Sequence, residues 1–249
     1  MYKALIAETI RYNGHDDDEI EAYYARPLGP GPYPSVLVIH HMPGWDDATK
    51  EIVRRFADEG YAAIAPHLFH REAGGDARPE DASAAVRAAG GVPDERFLGD
   101  AAGAIAYLRS QLYTSDKVGV IGYCSGGRQS FIAACRLPVD AAVDCYGGRV
   151  VAAPEELTAN QPVAPNDMTP DLRCPILCFF GVEDQNPSQE HMKLITEALE
   201  ANRKTYEMQS YENTGHSFFS VDRPSYRVEA AADGWRRIFE FFGRHLAET

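Results

Sequence analysis

The sequence predicts an α/β chain: a mostly parallel central sheet with helices on both faces and an antiparallel hairpin at its N-terminal end. Three observations predict it. Apolar runs such as Ser35 to His40 (SVLVIH) have the unbroken hydrophobicity of strands covered on both sides. These runs alternate with segments of helical period, the pattern of crossovers between parallel strands. Ahead of them, two short alternating segments, Ala4 to Ile10 and Glu19 to Ala25, flank Asn13-Gly14 and the run Asp16-Asp17-Asp18, as a hairpin at a sheet edge would. The acidic run lacks the spacing of a calcium loop and reads as a solvated turn.

From there the elements follow in order. Asp46 to Glu59 has Ile52, Val53 and Phe56 at helical spacing and Gly60 as a stop. Tyr61 to Ala65 is the next strand, and a Gly-rich stretch runs from Arg71 to Gly91. A long helix, Asp94 to Gln111, leads to the strand Lys117 to Ile121; Ser125 to Cys135 is helix, and Ala141 to Tyr146 and Pro175 to Phe180 are strands. Ser188 to Ala201 is helix, Thr205 to Tyr211 strand, and Ser225 to His245 a closing helix. The connection from Gly147 to Arg173 holds four prolines. At about 27 residues it exceeds the usual loop and is expected to be lid-like or to contain a short helix. With no internal repeat, residues 1–249 read as one domain.

A chain of 249 residues buries enough surface to need no disulfide or metal for stability. Its net charge of −13, with no block of Lys or Arg, disfavours nucleic acid and anionic membranes as partners. It also means that an anionic ligand would need a local Arg. No apolar run reaches membrane-spanning length, and Met1-Tyr2-Lys3 leads into a strand-like segment without a signal stretch. The five cysteines are an odd number, which points to free thiols and a cytoplasmic location. Cys174 and Cys178 lack the second Cys pair or flanking His that a zinc site requires. His40, His41, His67 and His70 fall at the ends of two strands. Adjacent His40 and His41 point to opposite faces and no carboxylate completes a ligand set, so pocket lining is expected over metal binding.

The sharpest local feature is Gly122-Tyr123-Cys124-Ser125-Gly126-Gly127, between a Val/Ile run and a helix. It has the form Gly-x-nucleophile-x-Gly, a sharp strand-to-helix turn with no room for side chains around its central residue. A following helix N-terminus favours a thiolate at Cys124; the plainer reading is a buried structural cysteine. Two later features favour the chemical reading. Gly181-Val182-Glu183-Asp184 and Thr214-Gly215-His216-Ser217 each follow a strand at its C-terminal end. Taken singly, Asp184 could be a turn residue and His216 a surface histidine. Nucleophile, acid and histidine at three strand ends in that chain order point instead to a catalytic triad of Cys124, Asp184 and His216.

Gly60-Tyr61-Ala62-Ala63, the run from Asp116 to Cys124, and Gly215-His216-Ser217-Phe218 make the chain similar to the dienelactone hydrolases (carboxymethylenebutenolidases), a Cys-His-Asp branch of the α/β-hydrolase fold. The resemblance spans nearly the whole chain. It implies Cys124 as nucleophile, His216 as base and then acid, Asp184 as the group orienting His216, a small cyclic or activated ester as substrate, and no cofactor. The oxyanion donors expected are the Ser125 N–H, next to the nucleophile, and an N–H after the strand Ser35 to His40. Pro43 has none, which leaves Met42, where the family also places it.

The chain departs from the family pattern in two places. His41 stands where the family has a Glu beside the oxyanion residue. Ser220 stands where the family has an Arg for the substrate carboxylate, leaving Arg223, in Asp222-Arg223-Pro224, as the nearest basic residue. His41 and Arg223 are therefore expected in the substrate pocket, with Arg71, Arg78, Arg87 and Arg96 as further candidates for a second family Arg. The expected activity is hydrolysis of small lactones or esters through a thioester acyl-enzyme. A thioesterase or general carboxylesterase on the same triad is the nearest alternative, and a non-catalytic small-molecule binder a more distant one.

Overall fold

A computed structural model describes residues 4–74 and 77–247. One eight-stranded sheet organises them, in the order β1-β2-β4-β3-β5-β6-β7-β8. Strands β1 (Leu5–Asn13) and β2 (Glu19–Pro27) form the N-terminal hairpin, and β2 pairs antiparallel with β4 (Ala62–Pro66). The remaining strands, β3 (Tyr33–Ile39), β5 (Thr114–Tyr123), β6 (Ala141–Cys145), β7 (Ile176–Gly181) and β8 (Tyr206–Tyr211), run parallel with β4.

The sheet is apolar on both sides because its strands alternate between two cores. Leu37 and Ile39 of β3, Ile64 of β4 and Val120 of β5 enter one core. That core is covered by α3 (Pro79–Ala88), α4 (Asp94–Ser110), α5 (Ser125–Arg136) and α6 (Gln189–Ala201). Val36, Val38, Ala63 and Ile121 enter the other, beneath α1 (Asp47–Asp58) and α7 (Val228–Leu246). Two covered faces explain the unbroken apolar runs of the parallel strands. At Gly119 a Cβ would stand 2.7 Å from the Phe242 ring, so glycine there lets α7 approach the sheet.

One stretch differs from expectation, and a second takes the short-helix alternative expected of it. The Gly-rich segment Arg71 to Gly91 contains α2 (His70–Ala73) and α3, the latter started by Pro79 with Glu80 and Asp81 in its first turn. Buried Ala82 and Val86, four residues apart, hold α3 to the core. The connection 147–173 contains two short 3₁₀ turns, Pro154–Glu156 and Pro165–Asp171, and buries Val150, Ala164, Met168 and Leu172. Asn160 also ties it to the end of α3, donating to the carbonyls of Ala89 and Gly91 at 2.9 and 3.0 Å. It is an anchored wall. The acidic run is partly structural too, since Asp18 pairs with Arg71 at 2.6 Å.

Candidate active site

The parallel strands all deliver their C-terminal ends to one edge of the sheet, where α/β proteins open a crevice. At the end of β5, Cys124 sits at φ 57° and ψ −118°, a left-handed conformation that costs a non-glycine residue free energy. The neighbouring glycines make the turn possible. A Cβ on Gly122 would lie 1.8 Å from the Gly126 carbonyl oxygen, and one on Gly126 2.4 Å from that of Ile39. The turn aims Cys124 out of the strand and starts α5 at the next residue.

Asp184 follows β7 and is buried, its Oδ2 2.7 Å from His216 Nδ1 and its Oδ1 accepting the Asn186 N–H at 3.0 Å. His216 follows β8. The two strand exits are stitched by the Glu183 N–H on the Thr214 carbonyl at 2.9 Å. Burial pushes the His216 imidazole down, but hydrogen bonds to Asp184 and Cys124 and the charges of both outweigh it, raising its pKa to about 10. For Cys124, burial pushes the thiol up; the His216 hydrogen bond and charge, with the N–H groups of Ser125 and Met42, bring it below its ordinary value. Asp184 and His216 are thus hydrogen-bonded, and Cys124 lies near enough to His216 and to the N–H groups of Ser125 and Met42 for all three to lower its thiol.

Tyr146, at the exit of β6, backs this line with its ring 5.1 Å from that of His216. Its hydroxyl meets Ser220, the position where the family has an Arg.

A hollow of about 280 Å³ opens beside Met42 and Ser125. Its polar wall includes Arg87, Arg128 and Arg149, the last from the anchored 147–173 connection. Arg128 is neutralised by Asp94 through contacts of 2.5 and 3.0 Å. Arg149 donates to the Glu156 carbonyl, and neither it nor Arg87 has a carboxylate partner among the described residues. Arg223 lines neither this hollow nor a smaller one of about 60 Å³, formed in part by His41, Ile52, Tyr123, Tyr146 and Trp235. Arg71 is engaged by Asp18 and Asp100, Arg78 by Glu80 and Asp81, and Arg96 by Glu72. Of the arginines singled out from sequence, Arg87 alone lines the larger hollow.

Of the four strand-end histidines, three have a ring nitrogen in a hydrogen bond, while His67 Nδ1 and His70 Nε2 are buried without a partner among the described residues. His41 Nε2 lies 2.6 Å from Asp46 Oδ2, His40 Nδ1 2.9 Å from the His41 carbonyl, and His70 Nδ1 2.8 Å from the His67 carbonyl. Among the described residues no group of three or more His, Cys, Asp or Glu side chains could hold a metal ion. All five cysteines are free, and no described helix is long and apolar enough to cross a membrane.

Comparison with known proteins shows the family and the fold. The carboxymethylenebutenolidase of Pseudomonas putida is 31% identical over 241 residues, covering 95% of this chain and 96% of that one. A crystal structure of a "Putative Dienelactone Hydrolase" from Klebsiella pneumoniae superposes with a TM-score of 0.88 at 30% identity, covering 97% of this chain and 100% of the other. A dienelactone hydrolase-like promiscuous phosphotriesterase from metagenomic libraries shares the fold, at a TM-score of 0.78 and 24% identity over 98% of this chain and 100% of that one. The family model for the dienelactone hydrolases matches residues 20–246, and the chain belongs to that family, with the α/β-hydrolase fold.

Proposed function

We propose that the protein hydrolyses small esters or lactones with Cys124 as nucleophile, through a thioester acyl-enzyme. The observation that carries this reading is the 2.7 Å Asp184–His216 hydrogen bond at the strand ends beside the Cys124 turn, and the lowering of the Cys124 thiol by His216 and the Ser125 and Met42 N–H groups supports it. The raised His216 and lowered Cys124 support a resting thiolate–imidazolium pair. The thiolate attacks the substrate carbonyl carbon, and the carbonyl π electrons move onto oxygen. That oxyanion is held by Met42 and Ser125 N–H donors, each worth about 2.7–4 kcal/mol in such a transition state. Collapse breaks the C–O bond, and the leaving alkoxide takes the proton from His216. His216, now neutral and oriented by Asp184, removes a proton from water. The resulting hydroxide cleaves the thioester, releasing the acid and restoring the ion pair.

Nucleophile, base and oxyanion donors are all supplied by the chain, so turnover should be indifferent to EDTA. The two cations of the larger hollow favour a substrate bearing an anionic group, held by Arg149 and Arg87 rather than by Arg223. One sheet threading residues 5–211 supports a single functional domain, and five free thiols support a cytoplasmic setting.

The test is to trap the acyl-enzyme by rapid acid quench with an aryl ester and with a dienelactone. An acyl mass on the peptide holding Cys124, absent in Cys124→Ala, is expected. Turnover with the acyl group elsewhere would refute the assignment. Turnover confined to thioesters would favour a thioesterase, and none with any ester the non-catalytic reading.

A further inference from the structure

The oxyanion donor Met42 lies in the turn His41-Met42-Pro43-Gly44. The His41 carbonyl accepts two hydrogen bonds, from Gly44 N–H at 2.9 Å and from His40 Nδ1 at 2.9 Å. His40 is buried, and its Nε2 accepts the Leu68 N–H at 3.3 Å, tying the turn to the chain leaving β4. Burial pushes the His40 ring down to about 3, so it is neutral, with the Nδ1-protonated tautomer assigned by these two partners. The far side of the turn is tied to α1. His41 Nε2 meets Asp46 Oδ2 at 2.6 Å, Asp46 Oδ1 accepts the Thr49 N–H at 2.9 Å as the helix N-cap, and the Thr49 hydroxyl donates to the Gly44 carbonyl at 3.3 Å. Asp46 thus does two jobs with two oxygens: one caps α1, and the other holds His41.

We infer that the Asp46–His41 pair is a positioning device for the oxyanion hole, fixing the Met42 N–H through the backbone it shares with His41. The inference rests on the proposed function and goes beyond it. It assigns to His41 the orientation of an N–H donor rather than activation of the thiolate. Its physical basis is that an oxyanion donor acts only within about 2.7–3.1 Å of the developing charge. A surface turn meets that tolerance only when its neighbours over-determine it. His41 and Asp46 side chains are 8% and 18% exposed, so their contact is shielded from solvent competition.

The experiment separates the two roles of Asp46. Asp46→Ser keeps an N-cap oxygen for α1 but cannot reach His41. Asp46→Asn keeps both the cap and one polar contact to the imidazole, and guards against a folding defect in the first variant. For Asp46→Ser the expected result is a fall in kcat for an aryl ester of about 10- to 100-fold, with KM changed by less than about two-fold. Asp46→Asn should recover most of the loss. The rate of Cys124 alkylation by iodoacetamide, which needs no oxyanion hole, should keep its wild-type pH profile. In ¹⁵N-labelled protein the Met42 amide resonance should move in Asp46→Ser while that of Ser125 stays. Unchanged kcat with an unmoved Met42 amide would reduce Asp46 to a helix cap and overturn the inference. A loss of kcat matched by slower alkylation would overturn it too, making the pair a thiolate partner. If the wild type turns over no ester, the functional reading fails separately, and the Met42 amide still decides the positioning role.

Discussion

The carboxyl of Asp144 accepts the Gly147 N–H at 2.7 Å through Oδ1, while its Oδ2, fully buried, has no hydrogen-bond partner. Asp144 lies beside Gly122 in the sheet, and a Cβ on Gly127 would fall 2.4 Å from Oδ1, so the carboxyl is wedged under the turn that presents Cys124. Burial raises its pKa to about 7, against the opposing pull of the Gly147 N–H.

A buried carboxyl of this kind gives the first prediction. The folded state holds the proton up to about pH 7 and the unfolded state releases it near 3.8, so stability falls as pH rises through that window and levels off above it. The full effect is on the order of 4 kcal/mol. Asp144→Asn cannot titrate; its buried amide adds a cost that is constant with pH. Urea unfolding from pH 4 to 8 should show the stability of the variant rising relative to wild type up to about pH 7 and levelling off above it. Parallel curves would mean that Asp144 is ionised throughout.

Alkylation should be selective for Cys124 over the other cysteines. Burial pushes Cys135 and Cys174 up to about 12 and Cys145 and Cys178 well above the ordinary thiol value, whereas Cys124 is lowered. Its thiolate is lost only as pH falls through that lowered pKa, so rapid alkylation should extend to lower pH than for an ordinary thiol. His216→Ala removes the hydrogen bond and charge that lower it and should move the profile to higher pH. Peptide mapping that finds another cysteine modified first would contradict this.

The Arg128–Asp94 pair behind the larger hollow has side chains only 5% and 11% exposed. Removing one partner leaves a buried uncompensated charge. Asp94→Ala should therefore cost about 3–5 kcal/mol of stability, and replacing both with apolar residues of similar size much less. Equal losses in the single and double variants, read by thermal or denaturant unfolding, would show that packing rather than the stranded charge sets the cost.

Legibility in the sequence followed the range of the interaction. Cys124, Asp184 and His216 could be located because each sits in a local turn signal after an apolar strand, and chain order related the three. Helix α3 was obscured by glycine pairs at both ends, although Pro79 with two acidic residues after it is a helix start and Ala82 and Val86 a core stripe. His41 was visible as a departure, but its partner Asp46 reads from sequence only as a helix cap. The second oxygen acquires meaning when α1 is docked. Arg149 was missed for a similar reason. Nothing local distinguishes an arginine facing a hollow from one on the surface. Its significance comes from Arg128 being cancelled by Asp94 and from the 147–173 connection folding against α3.

Arg149 therefore gives the last prediction. A net charge of −13 repels an anionic substrate at long range, so an uncancelled guanidinium at the hollow has to supply the attraction locally. Arg149 is held with its backbone N–H on Asn186 Oδ1 at 3.2 Å and its guanidinium on the Glu156 carbonyl, leaving donors free for a carboxylate. A dienelactone should consequently be preferred to its neutral methyl ester in kcat/KM. Arg149→Ala should remove most of that preference by raising KM for the acid, at a cost of about ten-fold or more for a lost charge-assisted contact. The neutral ester should be little affected, and Arg223→Ala should leave both substrates near wild type. If the preference survives Arg149→Ala and disappears in Arg223→Ala, the turn at Asp222-Arg223-Pro224 reaches the substrate and the hollow beside Ser125 does not receive its anionic group.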